Sequence, residues 1–122
     1  MKIRKLAAML LTLSLSLAAS PSALAHSHVC SPALDALGAT IGSSDFKNQR
    51  DQDRLGLKVV AADSKLLDSK PYDALQKLDN IRTKIDGLLA DRKTKINKYD
   101  AADILGDVGD AEDCILGHVA EF

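Results

Sequence analysis

The chain has no tryptophan, two tyrosines, two phenylalanines and three prolines among its 122 residues. Four rings (Phe46, Tyr72, Tyr99 and Phe122) are too few for a sugar-stacking platform or a base-stacking surface. A core must therefore be assembled from Leu, Ile, Val and Ala. Histidine is also scarce, at His26, His28 and His118. With two of these near the amino terminus, no Ser-His-Asp set suggests itself, and no carboxylate pair stands out among the many acids. The expectation is a protein without catalysis. Long apolar runs are missing too. The longest, Leu6 to Leu17, is interrupted by Thr12, Ser14 and Ser16. It falls short of the roughly twenty residues that a bilayer-spanning helix requires.

That short run has a different meaning. Lys2, Arg4 and Lys5 precede it, and Ser20-Pro21-Ser22 leads from it into Ala23-Leu24-Ala25, with small residues where a signal peptidase cuts. Residues 1–25 are predicted to be a signal peptide. Cleavage after Ala25 is favoured because a cut after Ser20 would place Pro21 beside the scissile bond. Ser27-His28-Val29 before Cys30 lacks the Leu-small-small pattern of an acylated cysteine. The expected location is thus periplasmic or extracellular, with no membrane span. Removing residues 1–25 takes three of the 16 bases and none of the 17 acids, leaving 13 against 17, a net charge of −4 over 97 residues. That length is one domain. Its mild acidity points away from nucleic acid, whose phosphates need a basic face.

Only two cysteines are present, Cys30 and Cys114. In an oxidising compartment an even count reads as a disulfide, and this pair lacks the Cys-x-x-Cys spacing of a redox motif. Their bond would enclose nearly the whole mature chain.

Helical periodicity runs through what remains. Ser31-Pro32 is a start signature, a capping hydroxyl followed by a proline that needs no N–H at the first helical position. Ala33, Leu34, Leu37 and Ile41 follow, with a stop near Gly42. Leu55, Val59, Ala62 and Leu66 mark one face of a second helix, whose start within 46–53 is left open by the polar sequence there. Pro71 ends that pattern. Ala74, Leu78, Ile81, Ile85 and Leu88 form a third stripe. After a basic loop over 90–96, Asn97 is placed to cap a fourth helix with Asp100 in its first turn, and Ala101, Ile104, Val108, Ala111 and Ile115 give its stripe. The prediction is an all-α fold: a flexible tail over 26–30, then a small antiparallel bundle of about four helices over 31–122, the first one short, closed by one disulfide. In up-down-up-down order the start of the first helix and the end of the fourth share one pole, where Cys30 and Cys114 would meet.

Leu55 through Lys65-Leu66-Leu67, Tyr72-Asp73-Ala74-Leu75-Gln76-Lys77-Leu78, Lys95-Ile96-Asn97 and Ala101-Ala102-Asp103-Ile104-Leu105 together give Arg54 to Ile115 a further character. This stretch, about half the chain, resembles the FIMAH-type module, a small helical unit of secreted bacterial proteins often appended to extracellular enzymes. The resemblance implies a non-catalytic accessory or interaction role and supplies no binding residues. The chain departs from the pattern at Lys70-Pro71, where the family usually has a Gly-Asn turn, and in having no partner enzyme domain.

Four groups of residues carry candidate chemistry. Cleavage after Ala25 would expose His26-Ser27-His28, whose amine, two amides and third-position imidazole suit square-planar Cu(II) or Ni(II). His118, beyond Cys114, would be drawn towards that tail as an extra ligand. The alternative is an incidental tail. Asp100, Asp103, Asp107 and Asp110 make an acidic strip beside the apolar stripe, either a site that holds a divalent cation weakly or docks a basic partner, or a solvated flank paired with lysines of a neighbouring helix. Arg92, Lys93, Lys95 and Lys98 are a basic cluster, either a solvated loop or a contact for an anionic cell-wall polymer or lipid surface. Asp51-Gln52-Asp53 with Gly56 opens like a calcium loop, but Leu55 and Ala62 stand where oxygen ligands are needed. The leading expectation is a non-catalytic secreted or periplasmic interaction module with a protein or cell-envelope partner. An envelope metal-binding protein and a carrier of a small apolar ligand are the alternatives.

Overall fold

Helix boundaries follow capping chemistry. In the computed structural model, which describes residues 29–122, four helices occur: α1 (Ser31–Ser43), α2 (Gln49–Leu67), α3 (Pro71–Ala90) and α4 (Lys98–Gly117). A 3-10 turn at Val119–Glu121 follows. The expected signal peptide and the two tail histidines lie outside the described residues. Asn48 caps α2, its side chain accepting from the Arg50 N–H, and Asn97 caps α4 by accepting from the N–H groups of Tyr99 and Asp100. Both satisfy donors that the first helical turn leaves without partners. Pro71 opens α3.

One cap differs from expectation. Ser31 is the first residue of α1, and Cys30 holds the cap position with no side-chain cap bond. The buried cystine fixes Cys30 at the helix entrance. The Ser31 hydroxyl is thereby turned across to Asp63 of α2, at 3.5 Å.

Each helix packs on its neighbours in sequence, and α4 closes the square against α1. The buried positions are the predicted stripes: Leu34, Leu37 and Ile41; Leu55, Val59, Ala62 and Leu66; Ala74, Leu78, Ile81, Ile85 and Leu88; Ala101, Ile104, Val108, Ala111 and Ile115. Ile96, between α3 and α4, joins them. At one pole, the loop after α1 and the loop after α3 pair through an antiparallel bridge between Phe46 and Ile96. Its backbone bonds run from Lys47 N–H to Lys95 C=O at 2.9 Å and from Asn97 N–H to Asp45 C=O at 3.2 Å. At the other pole, the Cys30–Cys114 disulfide joins the start of α1 to the end of α4, with the two Cα atoms 5.8 Å apart. No described helix is long and apolar enough to cross a membrane.

The placement of small residues is unusual. All seven glycines lie inside helices, and none has a positive φ. The positive-φ positions are instead Ser69 and Thr94. Ser69 ends α2 in a Schellman motif: its N–H reaches Leu66 C=O at 3.0 Å, and Lys70 N–H reaches Lys65 C=O at 2.8 Å. Glycine avoids the Cβ penalty at such a position, and alanine is the better former inside a helix. Nothing lies within 4 Å of a Cβ built at Gly106. Ser69→Gly and Gly106→Ala are each expected to raise stability by about 1 kcal/mol, read as a higher urea midpoint at unchanged slope. A lower midpoint for either would show that the position serves something other than the fold.

Candidate functional site

The acidic strip is split by the fold. Asp100 accepts a bond from the Asp45 backbone N–H at 2.8 Å, and Asp107 accepts one from the Thr40 hydroxyl of α1. These two carboxylates tie α4 to α1 and to the loop after it, while Asp103 and Asp110 face solvent. Lysine partners are absent from this seam because α1 contains no basic residue. The basic cluster is spread along the loop between α3 and α4 and the first residue of α4. Arg92 and Lys93 are exposed, Lys95 sits 3.7 Å from Asp91, and Lys98 lies over the Tyr99 ring, 5.3 Å from its centroid.

Asp51, one half of the calcium-like motif, belongs to the first turn of α2 and is buried. Its carboxylate lies 3.2 Å from the Lys84 ammonium of α3. The position is also favourable to negative charge because the N-terminal end of a helix carries partial positive charge. Across the bundle, Arg82 of α3 pairs with Glu112 of α4. These pairs join helices and gather no cluster of reactive groups.

Two places do gather chemistry. The first is a groove of about 560 Å³ between α1 and α2, lined by Gly38, Ile41, Gly42, Gln49, Gln52, Asp53, Gly56 and Leu57. Glycine at 38, 42 and 56 removes the side chains that would fill it. A Cβ at Gly38 would meet Val59 at 3.7 Å, whereas Gly42 and Gly56 face open space. Gln52 makes one end rigid, its amide donating to the carbonyls of Ile41 at 2.7 Å and of Gly42 and Ser44 at 3.2 Å. It thereby supplies donors to the carbonyls at the end of α1, where the helix runs out of its own N–H groups. Leu57, on the rim, is 67% exposed, and Val60, one turn along α2, is 65% exposed. The lining contains one acid, Asp53, and no base. The groove is open to the surface.

The second place is the cystine pole. Cys30, Cys114 and His118 bring two sulfurs and one imidazole nitrogen within 4.8 Å of one another. His118 approaches the disulfide from α4's own C-terminal end, with its Nδ1 2.9 Å from the Cys114 carbonyl. The expected tail ligands His26 and His28 lie outside the described residues.

Sequence reasoning did not find the groove. Its only trace there is the pair Gly38 and Gly42, one turn apart beside the α1 stripe, with Gly56 beside the α2 stripe. No known family, no curated protein and no solved structure matches the chain.

Proposed function

We propose that this protein is a non-catalytic binding module of an oxidising compartment outside the cytoplasm, and that it takes an apolar segment of a partner protein in the α1–α2 groove. One observation carries the reading: Leu57 stands exposed on the rim of a recess lined by Gly38, Gly42 and Gly56, with Val60 exposed one turn further along α2. A large aliphatic side chain in water costs free energy that burial against a partner recovers, at about 25 cal/mol per Å² of apolar surface. The partner segment is an amphipathic helix. Its apolar residues enter the groove, and its flank carries a basic group that meets Asp53 of the lining. The Cys30–Cys114 disulfide supports the compartment, as do the charged, apolar and small-residue zones of residues 1–25. The likeness of Arg54 to Ile115 to FIMAH-type modules supports the same role.

Gly56→Leu tests this directly. A Cβ at position 56 has no neighbour within 4 Å and stands in the lining of the recess, and leucine is the better helix former. The variant is expected to unfold at the same or a higher midpoint. It is also expected to bind a saturable partner captured from envelope extract at least tenfold more weakly than the unmodified protein does. Equal binding by the variant, or no saturable partner for the unmodified protein, overturns the proposal.

A further inference from the structure

We infer that the Cys30–Cys114 disulfide is one state of a redox-controlled metal site, and that on reduction Cys30, Cys114 and His118 bind a thiophilic divalent cation such as Zn²⁺. The three ligand atoms already lie within 4.8 Å of one another. They come from both ends of the domain and are brought together where α1 packs on α4, since Cys30 holds the N-cap position of α1, Cys114 lies in α4 and His118 is the C-cap of α4. A carbonyl oxygen can only accept. The 2.9 Å contact between His118 Nδ1 and the Cys114 carbonyl therefore makes Nδ1 the donor, and in the neutral ring Nε2 is then the nitrogen that carries the lone pair. A backbone carbonyl that fixes the tautomer in this way is the usual outer partner of a metal-binding histidine.

Access and size also fit. Cys30 is fully buried, whereas Cys114 and His118 are partly exposed, so an ion enters from the His118 side. Zinc bonds to sulfur of about 2.3 Å in a tetrahedron require the sulfurs to stand about 3.7 Å apart. Side-chain rotation supplies that separation across a 5.8 Å Cα–Cα distance. Two thiolates and one imidazole make three of four tetrahedral positions, leaving the fourth to water or an incoming ligand.

The chemistry balances in three steps. A dithiol reductant gives two electrons and two protons to the disulfide, becoming a disulfide itself and leaving two protein thiols. The cation then binds both sulfurs as thiolates and displaces two protons. A disulfide oxidant then takes two electrons from the two thiolates, takes up two protons to become a dithiol, re-forms the Cys30–Cys114 bond and so releases the ion. The bundle therefore holds its ends together in either state, by a covalent bond or through a metal.

The test uses the exported protein carrying His28→Ala, so that the amino-terminal tail supplies no imidazole at that position. After reduction with a phosphine under anaerobic conditions, Co²⁺ is titrated in as a spectroscopic probe. The expected result is a 1:1 complex with thiolate-to-cobalt charge-transfer absorption and tetrahedral ligand-field bands, displaced by Zn²⁺. Zn²⁺ is expected to raise the thermal midpoint of the reduced protein and to leave the oxidised protein unchanged. Adding His118→Ala is expected to weaken Zn²⁺ binding at least tenfold while the oxidised form unfolds at the same midpoint. The inference is overturned by the absence of charge-transfer bands, by equal affinity in the His118→Ala variant, or by a reduced protein whose midpoint Zn²⁺ does not raise.

Discussion

Replacing both cysteines, Cys30→Ala with Cys114→Ala, is expected to lower stability by about 4–5 kcal/mol. The bond spans 84 positions of sequence, and cross-linking so distant a pair removes most of the chain-closure entropy available to the unfolded chain. A domain of this size has a net stability of roughly 5–15 kcal/mol. The loss therefore brings the variant close to the threshold of folding at growth temperature. Urea unfolding of the oxidised protein and the double variant measures the effect. A loss below about 2 kcal/mol would show that the unfolded chain already keeps α1 and α4 near each other, so that the bond constrains little. Alanine is the suitable replacement because Cys30 is wholly buried and a serine hydroxyl there would add the cost of burying a polar group.

The Ile96→Ala variant is expected to lose about 2–4 kcal/mol, a core-sized effect from a residue outside any helix. Ile96 is 1% exposed and is the inter-helix member of the apolar core. It also holds one side of the bridge to Phe46, which packs against the same core. Truncation leaves a cavity at the pole where the loops after α1 and α3 meet, and the neighbouring Thr94 already holds a positive φ of 53° that a β-branched residue seldom adopts. Amide exchange is expected to quicken first at Lys47 and Asn97, whose N–H groups make the bridge bonds. Loss of stability without that local change would place the energetic role of Ile96 in packing alone.

The architecture was legible because the sequence repeats one signal four times. Apolar residues spaced three and four apart identify each buried stripe, and these stripes are the ones the helices bury. The cystine followed from the even cysteine count in an exported chain, and it agreed with up-down-up-down order, which brings Cys30 and Cys114 to one pole. Ile96 was not legible. It stands among Arg92, Lys93, Lys95 and Lys98, where local composition describes a solvated loop, and only the pairing of two distant loops buries it. The same limit applies to Asp51, whose partner Lys84 is on another helix. It applies as well to Asp100 and Asp107, which bond to α1 and its following loop rather than to lysines. Periodicity reports which face of a helix turns inward, but it does not report what stands across the seam. The groove escaped for a related reason. Its lining is defined by side chains that glycine lacks, and a missing side chain acquires meaning only once a second helix lies alongside.

Tension applied to the chain on the two sides of the cystine travels from Cys30 to Cys114 across the sulfur bridge and does not pass along the four helices. The bundle is therefore spared as a load path, and elongation is confined to the segments outside the loop. In its oxidised form the domain would act as an inextensible link, still presenting its folded surface while whatever it joins is pulled. Cutting that bridge would place α1 through α4 in series with the load.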